Sequence, residues 1–127
     1  MLVKDETVLL QHRAPWSHNG DTWGLPGGAR NSDETPIAAA LREAHEEAGI
    51  EPEHVRISRV HREDHGGWAY DTVIAIANSS VTAHAANHES IEVRWVKITE
   101  VTTMDLHPSF AKAWPTLLAY LNEGNHG

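Results

Sequence analysis

Residues 36–48 predict a single helix whose packing partner is dictated by its own side chains. Thr35 is a good N-cap and Pro36 suits the first helical position. Gly49 supplies a left-handed stop. Ile37, Ala40, Leu41, Ala44 and Ala48 recur at spacings of three and four, which gives one apolar stripe. Most of that stripe is alanine, so the helix must approach its partner closely, and a sheet offers such a surface. Flanking stretches supply the strands. Val8-Leu9-Leu10 follows a turn at Asp5-Glu6-Thr7, so residues 1–12 read as a strand pair. The first strand has only Met1 to Lys4 available, which leaves open where the natural chain begins. Residues 55–62 alternate, Tyr70 to Ala77 is a near-continuous β-rich run, and Ile91, Val93 and Trp95 alternate with Glu92 and Arg94. Pro108 opens a last helix with Phe110, Trp114, Leu117, Leu118 and Leu121 on one face. Pro115 inside it is expected to kink or split it. The order of elements points to an α/β protein with a mixed sheet and helices on its faces.

The same helix carries Glu43, Glu46 and Glu47 on one face. Like charges at that spacing disfavour the helix by a few tenths of a kcal/mol per pair. A hard divalent cation reverses the sign, because Mg²⁺ takes oxygen ligands and keeps some waters for phosphate groups. Arg42 lies four residues before Glu46 and is placed to orient it by a charge-assisted bond. A solvated acidic face is the other reading of these residues alone.

Composition narrows the function classes. The chain has 127 residues, enough for one domain, 1–127, that buries roughly two-thirds of its unfolded surface. Its net charge is −8 without a basic cluster, which argues against a nucleic-acid polymer as partner. No apolar run approaches a membrane span, and the N-terminus lacks a signal-peptide pattern. Cysteine is absent, which removes disulfides and thiolate chemistry and is compatible with the reducing cytoplasm, the expected location.

Residues 28–50 read Gly28-x5-Glu34-x7-Arg42-Glu43-Ala44-x-Glu46-Glu47-x-Gly49-Ile50. This resembles the Nudix box, G-x5-E-x7-R-E-U-x-E-E-x-G-U, at nine spaced positions, with Ala44 smaller than the usual bulky apolar residue. Trp23-Gly24-Leu25-Pro26-Gly27-Gly28 resembles the usual lead-in. Gln11-His12-Arg13 and the Glu89-x5-Trp95 spacing are similar to the MutT-type branch, the 8-oxo-dGTP diphosphatase type. The resemblance covers most of the chain and implies a Nudix-type α/β/α sandwich with a central mixed sheet. It also implies metal-dependent hydrolysis of a diphosphate in a nucleoside diphosphate linked to another group, with water attacking phosphorus. The expected substrate is a nucleoside triphosphate, ordinary or oxidised, such as 8-oxo-dGTP, cleaved to monophosphate and pyrophosphate. The expected cofactor is Mg²⁺, with Mn²⁺ as a substitute, and the expected assembly is a monomer or homodimer.

By that resemblance Glu43, Glu46 and Glu47 are metal ligands, helped by the Gly28 carbonyl. One of these glutamates or Glu89 is the base that activates water, and Arg42 supports them. Glu34 is expected to tie the loop to the helix. Arg13 is the expected phosphate contact, since a guanidinium fork suits phosphate. Leu25, Tyr70 and His107 are expected near the base. Trp16 and Trp68 lie in polar, glycine-rich loops, where either base stacking or packing onto the core would use them. Trp23 is expected to buttress the Pro26-Gly27-Gly28 loop, and Trp95 and Trp114 to be core. His61, His65, His84 and His88 read as surface residues. The branch's purine-contacting asparagine is replaced by Leu106-His107-Pro108. Two sibling activities fit less well. ADP-ribose hydrolases carry a proline shortly after the box, and residues 60–70 hold none. Diadenosine-polyphosphate hydrolases carry a tyrosine where Gly66 and Gly67 stand here. The alternatives are a Nudix hydrolase of another dinucleotide or sugar nucleotide, and a silent Nudix-fold nucleotide-binding module.

Overall fold

The structure is a computed structural model that describes residues 1–16, 20–25, 34–64, 69–83 and 90–124. The elements in chain order are β1 (Leu2–Lys4), β2 (Thr7–Arg13), β3 (Trp23–Gly24), α1 (Pro36–Ala48), β4 (Val55–Asp64), β5 (Ala69–Ala77), β6 (Ser90–Lys97) and α2 (Pro108–Gly124). Short 3₁₀ turns at Pro52–His54 and Ile98–Thr103 precede β4 and follow β6. Among the described residues the strands form one six-stranded mixed sheet, with β1 parallel to β5 and the other strand pairs antiparallel. β2 is its hub. One edge of β2 pairs with β6 along its length, so β1 and β3 share the other edge end to end. The strand pair read over residues 1–12 is present, and Asp5 at its turn adopts φ 55°. Short polar residues tolerate this left-handed conformation best after glycine.

Successive strand residues point to opposite faces, and both faces are covered. Val3, Val8, Leu10, Ile74 and Val96 meet Phe110, Trp114 and Leu117 of α2 on one side. Leu2, Leu9, Ala75 and Ala77 meet Ala44 and Ala48 of α1 on the other. This is the expected α/β/α arrangement, and no helix of the described residues is long and apolar enough to cross a membrane.

α1 has the limits its caps dictate. The Thr35 hydroxyl accepts from the Ala38 amide at 3.1 Å, and Gly49 closes the helix at φ 70°. Its rotation differs from the sequence expectation. Ala39, Glu43, Ala44, Glu47 and Ala48 are the buried residues, whereas Ile37 of the expected stripe is 38% exposed. Alanine buries little area, so an alanine-rich pattern fixes the helix rotation only weakly. Close packing of Ala44 and Ala48 against Leu2, Leu9, Ala75 and Ala77 decides it instead.

Pro115 does not split α2, which runs as one element through it. Proline there removes one backbone bond, but Phe110 and Trp114 before it and Leu117 after it lie in the same core cluster. Burial on both sides of the proline holds the helix together. The start of α2 is stitched to β3. The Trp23 amide donates to the Asp105 carbonyl at 2.8 Å, and the His107 amide donates to the Trp23 carbonyl at 2.7 Å. β3 itself was not evident in the sequence, since two residues carry no periodicity.

Candidate active site

The carboxylates of α1 divide into two kinds. Glu43 and Glu47, one helical turn apart, are buried at 8% and 9% exposure, while Glu46 is exposed. Burial of carboxylates is costly unless they are paired or meet a cation. Arg42 supplies much of the pairing. Its Nε and a terminal nitrogen donate to the two Glu34 oxygens at 2.7 and 2.9 Å. It also reaches Glu43 at 3.1 Å and Glu46 at 3.0 Å. Glu34 thus joins the segment before the helix to the helix itself. Glu34 raises the Arg42 pKa further above its already high range, chiefly through this hydrogen bond. Burial pushes Glu43 above the usual carboxylate range; the Arg42 charge opposes that shift and Glu46 adds to it. A crowded, partly buried set of carboxylates, three of them paired with one arginine, has the donor chemistry of a hard-cation site. Among the described residues no three acidic or imidazole groups converge closely enough to complete one. Gly28 and Glu89, the other expected contributors, lie outside the described residues.

A bulge organises the neighbouring strands. β2 and β6 pair regularly from Thr7↔Lys97 to His12↔Glu92, and the register then shifts so that Arg13 lies opposite Ser90. Arg13 is therefore brought beside the residue that follows Glu89 in the chain. Bulges recur next to active sites, where they re-aim side chains. Sequence periodicity could not show this, because a register shift depends on the partner strand.

The other expected contacts fall in different places. Leu25 is partly buried and packs against the α2-face core. His107 caps α2, its Nδ1 accepting from the Ser109 amide at 3.1 Å while its carbonyl accepts from Ala111 at 2.9 Å. Trp16 is 74% exposed, which overturns packing onto the core as its role. Trp68 and the Tyr70 side chain lie outside what the structure describes, as do His65, His84 and His88. His61 is half-buried rather than a plain surface residue, and its Nδ1 lies 2.9 Å from the Tyr120 hydroxyl. Trp114 is core as expected, and Trp95 packs partly buried against the α1-face cluster. The loop that Trp23 was expected to buttress lies outside the described residues. Trp23 stacks on His12, ring centroids 4.6 Å apart, with the Arg94 guanidinium 4.9 Å from its ring. The spacing of His12, Trp23 and Arg94 in sequence gave no sign of that cluster.

Comparison with known proteins identifies the family. The sequence profile of the NUDIX domain matches residues 1–117. The chain belongs to the Nudix family. It is 48% identical over 116 residues to a Mycobacterium tuberculosis protein with the provisional name 8-oxo-dGTP diphosphatase 3, covering 87% of this chain and 53% of that one. It is 46% identical over 118 residues to a nucleoside triphosphate pyrophosphatase/Nudix hydrolase fusion protein of Bifidobacterium longum, covering 91% of this chain and 24% of that one. The chain therefore spans about half or less of the length of these relatives. Among solved structures, a Nudix hydrolase from M. smegmatis, RenU, superposes with a TM-score of 0.84 at 43% identity, over 96% of this chain and 81% of that one. The family as a whole uses divalent cations.

Proposed function

We propose that this domain hydrolyses the phosphoanhydride of a nucleoside triphosphate, ordinary or oxidised, with 8-oxo-dGTP as the favoured substrate, to monophosphate and pyrophosphate. The observation that carries the reading is the buried Glu43 and Glu47 beside a Glu46 held by Arg42 on one helix. The name of the M. tuberculosis relative supports the choice of substrate. In this reading Glu43, Glu46 and Glu47, with the Gly28 carbonyl, hold Mg²⁺ or Mn²⁺. When bound, such a cation lowers the pKa of a water and neutralises charge on phosphoryl oxygens. Arg42 keeps Glu46 in one orientation, so that the carboxylate does not have to reorganise when substrate arrives. Arg13 binds phosphate. A helix glutamate or Glu89 takes the proton of the attacking water as its oxygen bonds to phosphorus and the anhydride oxygen leaves with pyrophosphate.

Product analysis tests this directly. Purified protein with Mg²⁺ and a panel of 8-oxo-dGTP, ordinary nucleoside triphosphates, ADP-ribose and diadenosine tetraphosphate should yield monophosphate and pyrophosphate from the oxidised triphosphate. Glu46→Gln and Glu47→Gln should each lower kcat about 10²- to 10⁴-fold, with little change in Tm. Diphosphate plus orthophosphate as products would overturn the assigned bond. Near-normal turnover in both variants would overturn the glutamate roles. Nucleotide binding without turnover would mark a silent binding module instead.

A further inference from the structure

Trp16 is the most exposed large hydrophobic side chain of the described residues. The loop that carries it is nevertheless built. The Arg13 amide donates to the Thr22 carbonyl and the Asp21 amide to the Arg13 carbonyl, both at 2.9 Å, so the β2–β3 hairpin continues past its strands. Ala14 is fully buried. At Gly20 a Cβ would fall 2.5 Å from the Pro15 carbonyl oxygen and 2.6 Å from that of Ala14. The two arms of the loop therefore touch backbone to backbone, and only glycine lets them close. Pro15 removes a further degree of freedom directly before the tryptophan. An indole is thus held in solvent from an anchored base, while Trp23, Trp95 and Trp114 all have packing partners. Leaving so large an apolar surface in water forgoes the stabilisation that burial would give. An open aromatic face on an anchored backbone is what a planar ring stacks on.

We infer that Trp16 is a stacking platform for the base of the bound nucleotide and gives this enzyme a preference for purines over pyrimidines. The inference rests on the phosphate role of Arg13 proposed above. Trp16 lies three positions after Arg13, so their Cα atoms are at most about 11 Å apart, within reach of the nucleoside attached to the phosphates that Arg13 holds. Stacking is tolerant of base identity and scales with ring size, so the preference it creates is graded. Hydrogen-bond readout of the base edge is a separate matter and falls to other residues.

The test is steady-state kinetics on 8-oxo-dGTP, dGTP, dATP, dCTP and dTTP with wild type, Trp16→Ala and Trp16→Phe. Tryptophan-fluorescence titration covers any nucleotide that binds without turnover. Trp16→Ala should raise KM or Kd for the purine nucleotides about tenfold, and less for the pyrimidine nucleotides. Its kcat and Tm should be unchanged, and Trp16→Phe should recover most of the loss. An unchanged KM in Trp16→Ala overturns the inference, as does an equal rise for purines and pyrimidines or a loss that phenylalanine does not recover. Wild-type protein that neither binds nor hydrolyses any of these nucleotides overturns the proposed function itself. A wild type that does so, with Trp16→Ala unaffected, overturns only the role of Trp16.

Discussion

The two faces of the sheet are built from different materials. On the α2 face, Val8, Leu10, Ile74 and Val96 meet Phe110, Trp114 and Leu117. Large side chains there bury much area per residue and fix the geometry by interlocking. On the α1 face, Ala44 and Ala48 meet Leu9, Ala75 and Ala77, and two glutamates are buried on the same helix. Small side chains there bring a helix close to the sheet and leave its carboxylates in a low-dielectric setting. The difference separates two tasks that compete in a small domain. One face supplies stability, which allows the other to carry groups that disfavour folding.

Three changes would break or sharpen that contrast. The largest effect should come from Trp114→Ala, because its ring is 3% exposed in the α2-face core. A loss of about 3–5 kcal/mol is expected from urea denaturation, with kcat per folded molecule retained. Loss of kcat in the folded fraction would show that the faces are not separable. Ala48→Leu should follow, at about 1–3 kcal/mol, since Ala48 is fully buried against the sheet. This change should also depress kcat, because added methyl groups push α1 and its glutamates away from the sheet. A destabilised variant with intact kcat would show that the site does not depend on the close approach of α1.

The smallest effect concerns Glu43 in metal-free protein. Burial raises its pKa in the folded state. Between the ordinary carboxylate pKa of about 4.3 and that raised value, folded protein binds more protons than unfolded protein. Stability contributed by this group therefore falls as pH rises through the window. Glu43→Gln should remove that part of the slope of stability against pH and slightly stabilise the metal-free fold at neutral pH. A steeper slope, or a less stable variant at neutral pH, would show that its pairing with Arg42 outweighs burial.

Much of this was legible in the chain wherever the determining contacts are local. The limits of α1 follow from Thr35, Pro36 and Gly49, each acting within one turn. The pairing of Arg42 with Glu46 follows from a spacing of four. The alternation of β6 and the β-rich run of β5 follow from period two. The carboxylate set of the candidate site was likewise visible as a pattern of residue types on one helix.

Where the contacts are distant, the pattern was silent or misleading. Which face of α1 turns inward was decided by sheet residues 2, 9, 75 and 77, and that choice buried Glu43 and Glu47 while leaving Glu46 outside. The shift that sets Arg13 opposite Ser90 exists only between two paired strands. The joining of the His107 backbone to Trp23 is a contact across more than eighty residues. The sequence by itself determined the family, the elements other than β3 and the identity of the acidic groups, because short-range spacing and capping specify them. Only the tertiary structure decided which acids are buried, that Trp16 is left open to solvent and where the strands slip, because burial and register are properties of the partner surface.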